Sequence, residues 1–221
     1  MLKHLDATPE QVARVLGVFR REMDCEDAQL AVGGIRLLGR ARVMTFTGFS
    51  GTGYEDEAEA RGIIIKELKN LDPSDTLVCA GATSEGIGMV YPLALQMGFR
   101  TAGIVSSRAR SEGTNFSTDC EVVFVVDDIT WGGKQGNGRL SATSQAIVGA
   151  CDVMIGIGGG AIARDELEEA RKKGKTVRFY KADMNHALAL EKAAKTGKDL
   201  LSDFGGEAQS LFLNQHQGEG P

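Results

Sequence analysis

Three apolar segments of this chain end in glycine-rich breaks, and each break leads directly into a helical pattern. The breaks lie at residues 48–53, 81–86 and 158–160, and the last one consists of three consecutive glycines. Where a strand stops on glycines and turns into a helix, bare backbone N–H groups meet the positive end of the helix dipole, so an anion can bind there. The chain is therefore restricted to folds in which strands and helices alternate.

Short apolar strands alternate with helices along most of the sequence. Strands are predicted at residues 42–47, 77–80, 102–105, 121–126, 153–157 and 176–180, and helices at 55–71, 87–97, 141–149, 161–173 and 184–194. This alternation is typical of a parallel sheet that is covered by helices on both faces. The predicted fold class is therefore α/β, with a doubly wound and mainly parallel sheet.

The length of 221 residues suits one domain, which we place at residues 1–205. Thr8 and Pro9 are typical of a helix start, so a helix is expected at residues 9–23, followed by a turn at 24–27. Residues 28–38 mix strand and helix signals and stay unassigned. The segment from Gly205 onward is rich in Gly, Gln and Glu, and residues 206–221 are expected to form a flexible polar tail.

Charge and residue spacing argue against several classes of function. The net charge of -5 and the lack of a long Lys/Arg cluster argue against a nucleic-acid partner. No apolar run is long enough to span a membrane, and residues 1–10 lack the pattern of a signal peptide, so we expect a cytoplasmic protein. The cysteines and histidines are widely scattered, so the sequence predicts neither a metal site nor a resident cofactor.

The carboxyl ends of parallel strands meet at one edge of a sheet, so the three breaks should converge on one crevice. Ser107 and Arg108 follow a further strand at the rim of this crevice, and Arg108 is a second candidate for phosphate binding. The alternative is that glycine occurs at such turns for steric reasons alone. The predicted ligand-binding residues within the breaks are Gly48, Ser50, Gly51, Thr52, Gly81, Thr83, Ser84, Gly86, Gly158, Gly159, Gly160 and Ala161.

A dinucleotide fingerprint is also present. Residues 156–161 match Gly-x-Gly-x-x-Ala between a strand and a helix, and Asp183 follows the next strand. The fingerprint normally opens the first β-α-β unit, whereas several predicted strands precede it here. An NAD(P)-linked oxidoreductase is therefore the weaker alternative.

Two parts of the chain resemble LOG-type proteins of the SLOG superfamily, which were formerly described as lysine decarboxylases. Residues 78–105 are similar to the second strand–loop–helix–strand unit of that family. Residues 152–166 are similar to its signature Asp-Ala-x-Ile-x-x-Pro-Gly-Gly-x-Gly-Thr-x-x-Glu. Together with the first glycine-rich break, the resemblance covers residues 42–181. It implies a Rossmann-like homodimer that binds a nucleotide or a nucleotide derivative.

Enzymes of this family hydrolyse the N-glycosidic bond of nucleoside 5'-monophosphates. The resemblance implies that a glycine-rich helix start holds the phosphate, and that a carboxylate beside it stabilises the oxocarbenium-like sugar or activates water. Depending on which two of the three glycines correspond to the family's pair, this carboxylate is Asp165 or Glu166. We favour Glu166, because the register that selects it also aligns the Asp-Glu-Leu run with the family's signature.

Two residues of the family's pattern are missing from this sequence. Its threonine has no counterpart after Ala161, and the position of its arginine is occupied by Thr143, unless Arg139 in the polar loop at 129–140 substitutes. These losses favour a nucleotide-binding protein of the SLOG type, with a phosphoribohydrolase as the alternative. The acids at 165–169 also suit an exposed helix that needs no catalytic role. Whether the loop at 129–140, which carries Trp131, closes over the site is left open.

Overall fold

A computed structural model describes residues 22–197 and 203–213. Within these ranges the strands are β1 (Glu22–Cys25), β2 (Arg42–Gly48), β3 (Thr76–Ala80), β4 (Arg100–Ser106), β5 (Val122–Val126), β6 (Val153–Ile157) and β7 (Thr176–Tyr180). The helices are α1 (Ala28–Leu37), α2 (Glu57–Leu68), α3 (Val90–Gln96), α4 (Ser107–Ser111), α5 (Ala142–Ala150), α6 (Ala161–Lys172), α7 (His186–Thr196) and α8 (Glu207–Leu213), with a 3-10 turn at Gly86–Met89.

The seven strands form one sheet in the order β1-β5-β4-β3-β2-β6-β7, and each neighbouring pair is parallel. From β2 the chain moves outward through β3 and β4 to β5, and then returns to the other side of β2 to form β6 and β7. The strand order therefore reverses between β2 and β6. The predicted fold class, a Rossmann-like doubly wound α/β sheet, is confirmed. Ligands of such folds bind outside the carboxyl ends of the strands at this reversal.

Helices cover both faces of the sheet because its central strands are apolar on both sides. On one face α1, α5, α6 and α8 bury residues such as Ile35, Ile147 and Leu167 against the strands. On the other face α2 and α3 bury Ile64 and Val90 in a second cluster. Among the described residues, no helix combines the length and the apolar composition that crossing a membrane requires.

The prediction for the N-terminal part is wrong where the structure can be compared with it. Residues 9–21 of the predicted helix lie outside the described residues, but residues 22–25 form a strand rather than the end of a helix and a turn. This strand pairs with β5, and Arg110 forms ion pairs with two of its side chains, Glu22 at 3.0 Å and Asp24 at 2.5 Å. A four-residue edge strand whose pairing depends on a distant segment leaves little periodicity to detect.

The unassigned segment at 28–38 contains α1. Asp27 caps this helix, since its carboxylate accepts a hydrogen bond from Leu30 N at 2.9 Å. Gly34 lies against the ring of Phe124, and a Cβ at this position would come within 2.2 Å of the ring. The glycine that obscured the helical pattern therefore permits close packing of α1 on the sheet.

The prediction of a loose tail from residue 206 is wrong for the described residues 206–213. These residues include α8, in which Ala208 is buried and Leu211 and Phe212 pack against the core. The Phe212 ring stacks on Phe179 with the ring centroids 4.4 Å apart. The apolar positions follow an i, i+3, i+4 spacing, which a composition rich in Gly, Gln and Glu concealed. Residues 214–221 lie outside the described residues.

Candidate functional site

A cleft of about 880 Å³ lies at the carboxyl ends of the strands beside the reversal of strand order. Its size is within the range of about 300 to 1,000 Å³ that is common for small-molecule sites. Residues from all three glycine-rich breaks line it together with one of the two predicted acids. The predicted residues that the structure brings together here are Gly48, Ser50, Gly51, Thr52, Gly81, Thr83, Gly160, Ala161 and Glu166.

The other predicted site residues lie in the described part of the chain but not in the lining of the cleft. The Ser107 hydroxyl accepts a hydrogen bond from Asp128 N at 3.1 Å, and Arg108 donates to Glu112 at 2.7 Å. Arg139 is exposed on the far part of the 129–140 loop. The full set outside the lining is Ser84, Gly86, Ser107, Arg108, Arg139, Gly158, Gly159 and Asp165.

Gly158 and Gly159 shape the backbone behind the cleft and do not border it. Their φ angles of +53° and +122° belong to the region that favours glycine. A Cβ on Gly158 would come within 2.5 Å of the Phe49 ring, and one on Gly159 within 2.5 Å of the Ala163 Cβ. The steric explanation for glycine therefore applies to these two positions, which place Gly160 at the mouth of the cleft.

The N-terminus of α6 opens into the cleft. Gly160 is the N-cap, and it has no side chain to cover the first N–H groups of the helix. The first-turn residues Ala161, Ile162 and Ala163 all line the cleft. The N–H groups of a first helical turn have no partner within the helix, and they lie at the positive end of its dipole. This end of α6 can therefore hold an anionic group of a ligand.

Glu166 is a buried carboxyl group in the wall of the cleft. Only 3% of the residue is exposed, and the Thr47 and Ser144 hydroxyls donate to its two oxygens at 3.1 and 2.7 Å. Burial raises the pKa of Glu166 to about 7, although both hydroxyl hydrogen bonds lower it. A carboxyl group with this pKa exchanges a proton readily near neutral pH, as general acid–base chemistry requires.

Asp165 is equally buried, with 4% exposed, but it faces away from the cleft. Its carboxylate accepts a hydrogen bond from Lys134 N at 2.8 Å and pairs with Arg164 at 2.8 Å. Consecutive side chains on a helix point about 100° apart, so two neighbouring acids reach different surroundings. Of the two registers that the sequence left open, only the one that selects Glu166 places a carboxyl group in the cleft.

The loop at 129–140 forms one side of the cleft through Trp131. Gly133 N donates to the Ser144 hydroxyl at 2.7 Å, so the same serine contacts both the loop and Glu166. Lys134 also forms an ion pair with Glu168. Asp165 and Ser144 therefore fix this loop against α5 and α6.

Several polar residues in the cleft were not identified from the sequence. Thr47 lies one residue before the end of β2, and Ser106 is the last residue of β4. Because ligands bind at the carboxyl ends of the strands, these positions could have indicated both residues as site candidates. Lys192 from α7 and Glu207 from α8 also line the cleft, and no local pattern signals either residue. A Cβ on Gly51 would lie 3.8 Å from Lys192 Nζ, which puts a cation beside the first break. Within the described ranges, no cluster of His, Cys, Asp and Glu could hold a metal ion.

Comparisons with known proteins give structural similarity only. No family model matches the sequence. No curated protein matches it either. The fold is similar to that of the structural genomics target TM1055, with a TM-score of 0.46 and 21% identity over 62% of this chain and 72% of the other. It is also similar to the Moco carrier protein from Chlamydomonas reinhardtii, with a TM-score of 0.45 and 18% identity over 80% of this chain and 99% of the other. A second structure of that carrier has a TM-score of 0.45 and 17% identity over 81% and 100% of the two chains.

These matches concern the general α/β fold and identify no ligand. The chain resembles LOG-type proteins of the SLOG superfamily in its motifs, and its fold is Rossmann-like.

Proposed function

We propose that this protein binds a nucleotide or a nucleotide derivative in the cleft at the carboxyl ends of the strands. The observation that carries the proposal is the convergence of all three glycine-rich breaks and the open end of α6 on one cleft. One loop alone would have a steric explanation, but three loops and an uncovered helix start provide both space and N–H donors for a ligand. Homodimer formation, which the family resemblance implies, stays a prediction.

The ligand's phosphate would bind at the N-terminus of α6. The Lys192 side chain beside Gly51 supplies positive charge to the same cleft. The acids that follow the first break lie outside the lining, where Asp56 caps α2 and Glu55 accepts a hydrogen bond from His186 N at 2.8 Å. Glu207 does line the cleft, and a Cβ on Gly160 would lie 3.4 Å from its Oε2, so this side chain must turn away when a phosphate binds. The sugar and the base would then occupy the remaining cleft, which the second break and Trp131 border.

Substitution of Gly160 by asparagine tests where the phosphate binds. Gly160 has an extended backbone with φ -85°, so an asparagine can adopt its conformation and cap α6 with its side chain. The side chain would occupy N–H groups that the phosphate needs. We expect G160N to bind AMP and ribose 5-phosphate at least tenfold more weakly in calorimetry, while its thermal stability without ligand stays the same or rises.

The matched control for this experiment is G136N. Gly136 lies in the 129–140 loop with no atom within 4 Å of a Cβ built on it, so the same substitution there should leave binding unchanged. Unaltered affinity in G160N would contradict phosphate binding at α6. Absence of binding and of a thermal shift with every nucleoside monophosphate would contradict the proposed function itself, because a ligand of the native state must raise its stability.

Hydrolysis of the N-glycosidic bond is the second candidate function, and Glu166 is the observation that favours it. Its carboxyl group lines the cleft with a pKa of about 7, so it can give a proton to a departing base or, when ionised, stabilise positive charge on the sugar. Water would then attack the anomeric carbon and pass its proton to the ionised Glu166, which yields the free base and ribose 5-phosphate and restores the carboxyl group.

Chromatographic detection of free base from nucleoside monophosphates tests the hydrolase. Gln can hydrogen-bond with both the Thr47 and the Ser144 hydroxyl, because those hydroxyls can turn to donate or accept. We therefore expect E166Q to keep its fold and nucleotide affinity and to lose base release by at least a hundredfold. Nucleotide binding without base release in the wild-type protein would leave binding as the function.

The NAD(P)-linked alternative is weaker than either of these functions. The acidic residue of the fingerprint, Asp183, does not line the cleft, and its carboxylate lies 3.5 Å from His186 Nε2 instead. Asp183 is therefore not in a position to accept a hydrogen bond from the ribose of a dinucleotide bound in the cleft. A thermal shift with NAD(H) that exceeds the shift with AMP would favour the oxidoreductase.

A further inference from the structure

Trp131 combines three properties that seldom occur together. It is the only tryptophan in the sequence, it lines the cleft, and 42% of it is exposed. Large aromatic residues that stay partly exposed in a cleft are frequent contributors to binding. The residues around Trp131 restrain its backbone, and a cation lies beside its ring.

The backbone on the N-terminal side of Trp131 is fixed by a buried acid. Asp128 is 6% exposed, and one of its oxygens accepts hydrogen bonds from Thr130 N at 2.8 Å and the Thr130 hydroxyl at 2.7 Å. Its other oxygen accepts from Thr143 N at 2.9 Å, which connects the loop to α5. The residue before Trp131 is therefore held in place by the core.

The backbone on the C-terminal side is fixed as well. Gly132 N donates to the Thr130 hydroxyl at 3.2 Å, and Gly133 N donates to the buried Ser144 hydroxyl at 2.7 Å. Lys134 N then donates to Asp165. Because hydrogen bonds restrain the backbone on both sides of Trp131, ligand binding to the ring costs little backbone entropy, and this favours binding.

The indole ring also has a cation on one side. The Arg108 guanidinium carbon lies 5.4 Å from the ring centroid, within the range of a cation–π contact, and Glu112 holds this guanidinium through its Nε. Trp131 and Ile162 both line the cleft, and the residue after Trp131 lies against α6, since a Cβ on Gly132 would come within 3.2 Å of the Ile162 side chain. Trp131 and the start of α6 are thus adjacent parts of one cleft wall.

We propose that Trp131 is the stacking surface for a planar heterocyclic base, so that the ligand carries such a ring in addition to its phosphate. This inference rests on the proposed function and deepens it, because it separates a base-bearing nucleotide from a sugar phosphate that α6 alone could hold. Stacking of a base on an aromatic side chain tolerates every base, since each has a π face. Trp131 therefore increases the affinity for any base, and other residues determine which base is preferred.

Tryptophan fluorescence tests this directly, because every tryptophan photon comes from residue 131. The protein is titrated with AMP, GMP, CMP and UMP and with ribose 5-phosphate, with excitation at the red edge of the tryptophan band, and calorimetry measures binding independently. We expect the nucleotides to quench the emission and ribose 5-phosphate to bind without quenching. W131A should bind nucleotides about tenfold or more weakly and ribose 5-phosphate unchanged, and W131F should recover most of the lost affinity.

The matched control is I129A. Ile129 is an apolar residue of the same loop, is 85% exposed and does not line the cleft, so its removal should alter neither quenching nor affinity. Nucleotide binding in calorimetry without quenching, or with equal affinity in W131A, would overturn the inference and leave the proposed function intact. Failure of all four nucleotides to bind would instead overturn the proposed function and the inference together.

Discussion

Asp165 and Glu166 are consecutive and equally buried, yet they belong to different regions of the molecule. Glu166 lies in the cleft wall, where its carboxyl group contacts two neutral hydroxyls. Asp165 lies under the 129–140 loop, where its carboxylate contacts a backbone N–H group and cationic side chains. Burial raises the pKa of Glu166, and the hydrogen bonds from the two neutral hydroxyls offset this effect only in part.

This difference indicates how one turn of helix can serve two purposes. The cleft side contains a carboxyl group whose proton is exchangeable near neutral pH, and the loop side contains a carboxylate that fixes the part of the cleft where Trp131 lies. The two buried acids of α6 thus differ in position, since one lines the cleft and the other supports the loop that borders it. The two acids should respond differently to the same substitutions, which gives two ways to test the comparison.

The pH dependence of stability should reveal the Glu166 side. The pKa of this group is raised from 4.5 to about 7 in the folded protein, so between those values the folded state binds a proton that the unfolded state has lost. Its contribution is therefore fully present below pH 4.5 and is lost as the pH rises through 7. A shift of one pKa unit corresponds to about 1.4 kcal/mol. The difference in the free energy of unfolding between the wild type and E166Q should therefore change by as much as about 3 kcal/mol across this window, with the wild type losing stability as the pH rises.

Urea unfolding of both proteins at several pH values measures this difference, and all other titrating groups cancel in the comparison. S144A is the accompanying variant, because it removes a hydrogen bond that lowers the pKa of Glu166. In S144A the pKa of Glu166 should be higher than in the wild type. We therefore expect the pH-dependent fall in the free energy of unfolding to continue to a higher pH. Parallel pH profiles for the wild type and E166Q would show that folding does not raise the pKa of Glu166, and this would remove the basis for proton transfer at neutral pH.

The parts of this molecule that the sequence predicts are those with strong local patterns. Apolar runs that end on glycine determine β2, β3 and β6, and they bring Gly48, Gly81 and Gly160 to one cleft. Periodicity cannot show which way an individual side chain points around a helix when the register is uncertain by one residue. For this reason the sequence left both Asp165 and Glu166 as candidates, and it favoured Glu166 only through the match of the Asp-Glu-Leu run to the family's signature.

The features that the sequence did not predict depend on contacts between distant segments. The edge strand at Glu22–Cys25 exists through its pairing with β5, and Glu207 reaches the cleft because α8 packs on α6 and Phe179. Trp131 is held in the cleft by residues that lie elsewhere in the chain, such as Ser144 and Asp165. Local propensity contains no information about such partners.

Removal of the Asp165 carboxylate should have the second largest effect. D165A leaves the Lys134 N–H without its acceptor in a partly buried site, and it removes the buried partner of Arg164. Loss of an acceptor in such a site costs about 1 to 3 kcal/mol, so we expect the free energy of unfolding to fall by about 2 kcal/mol. Hydrogen exchange at the Lys134 amide should accelerate, and Trp131 fluorescence should become more easily quenched by an added solute as the loop loosens.

The matched control is R164A, which removes a half-exposed partner and keeps the carboxylate. The Arg164 side chain is 36% exposed, and Asp165 keeps both the hydrogen bond from Lys134 N and the ion pair with Lys134 Nζ at 4.0 Å in this variant. We therefore expect R164A to lose less stability than D165A and to keep the Lys134 amide protected. Equal destabilisation by D165A and R164A would mean that Asp165 acts through its ion pair alone. In that case the loop that carries Trp131 would depend on Asp128 and Ser144 for its position, and the Asp165 carboxylate would not be needed to support this side of the cleft.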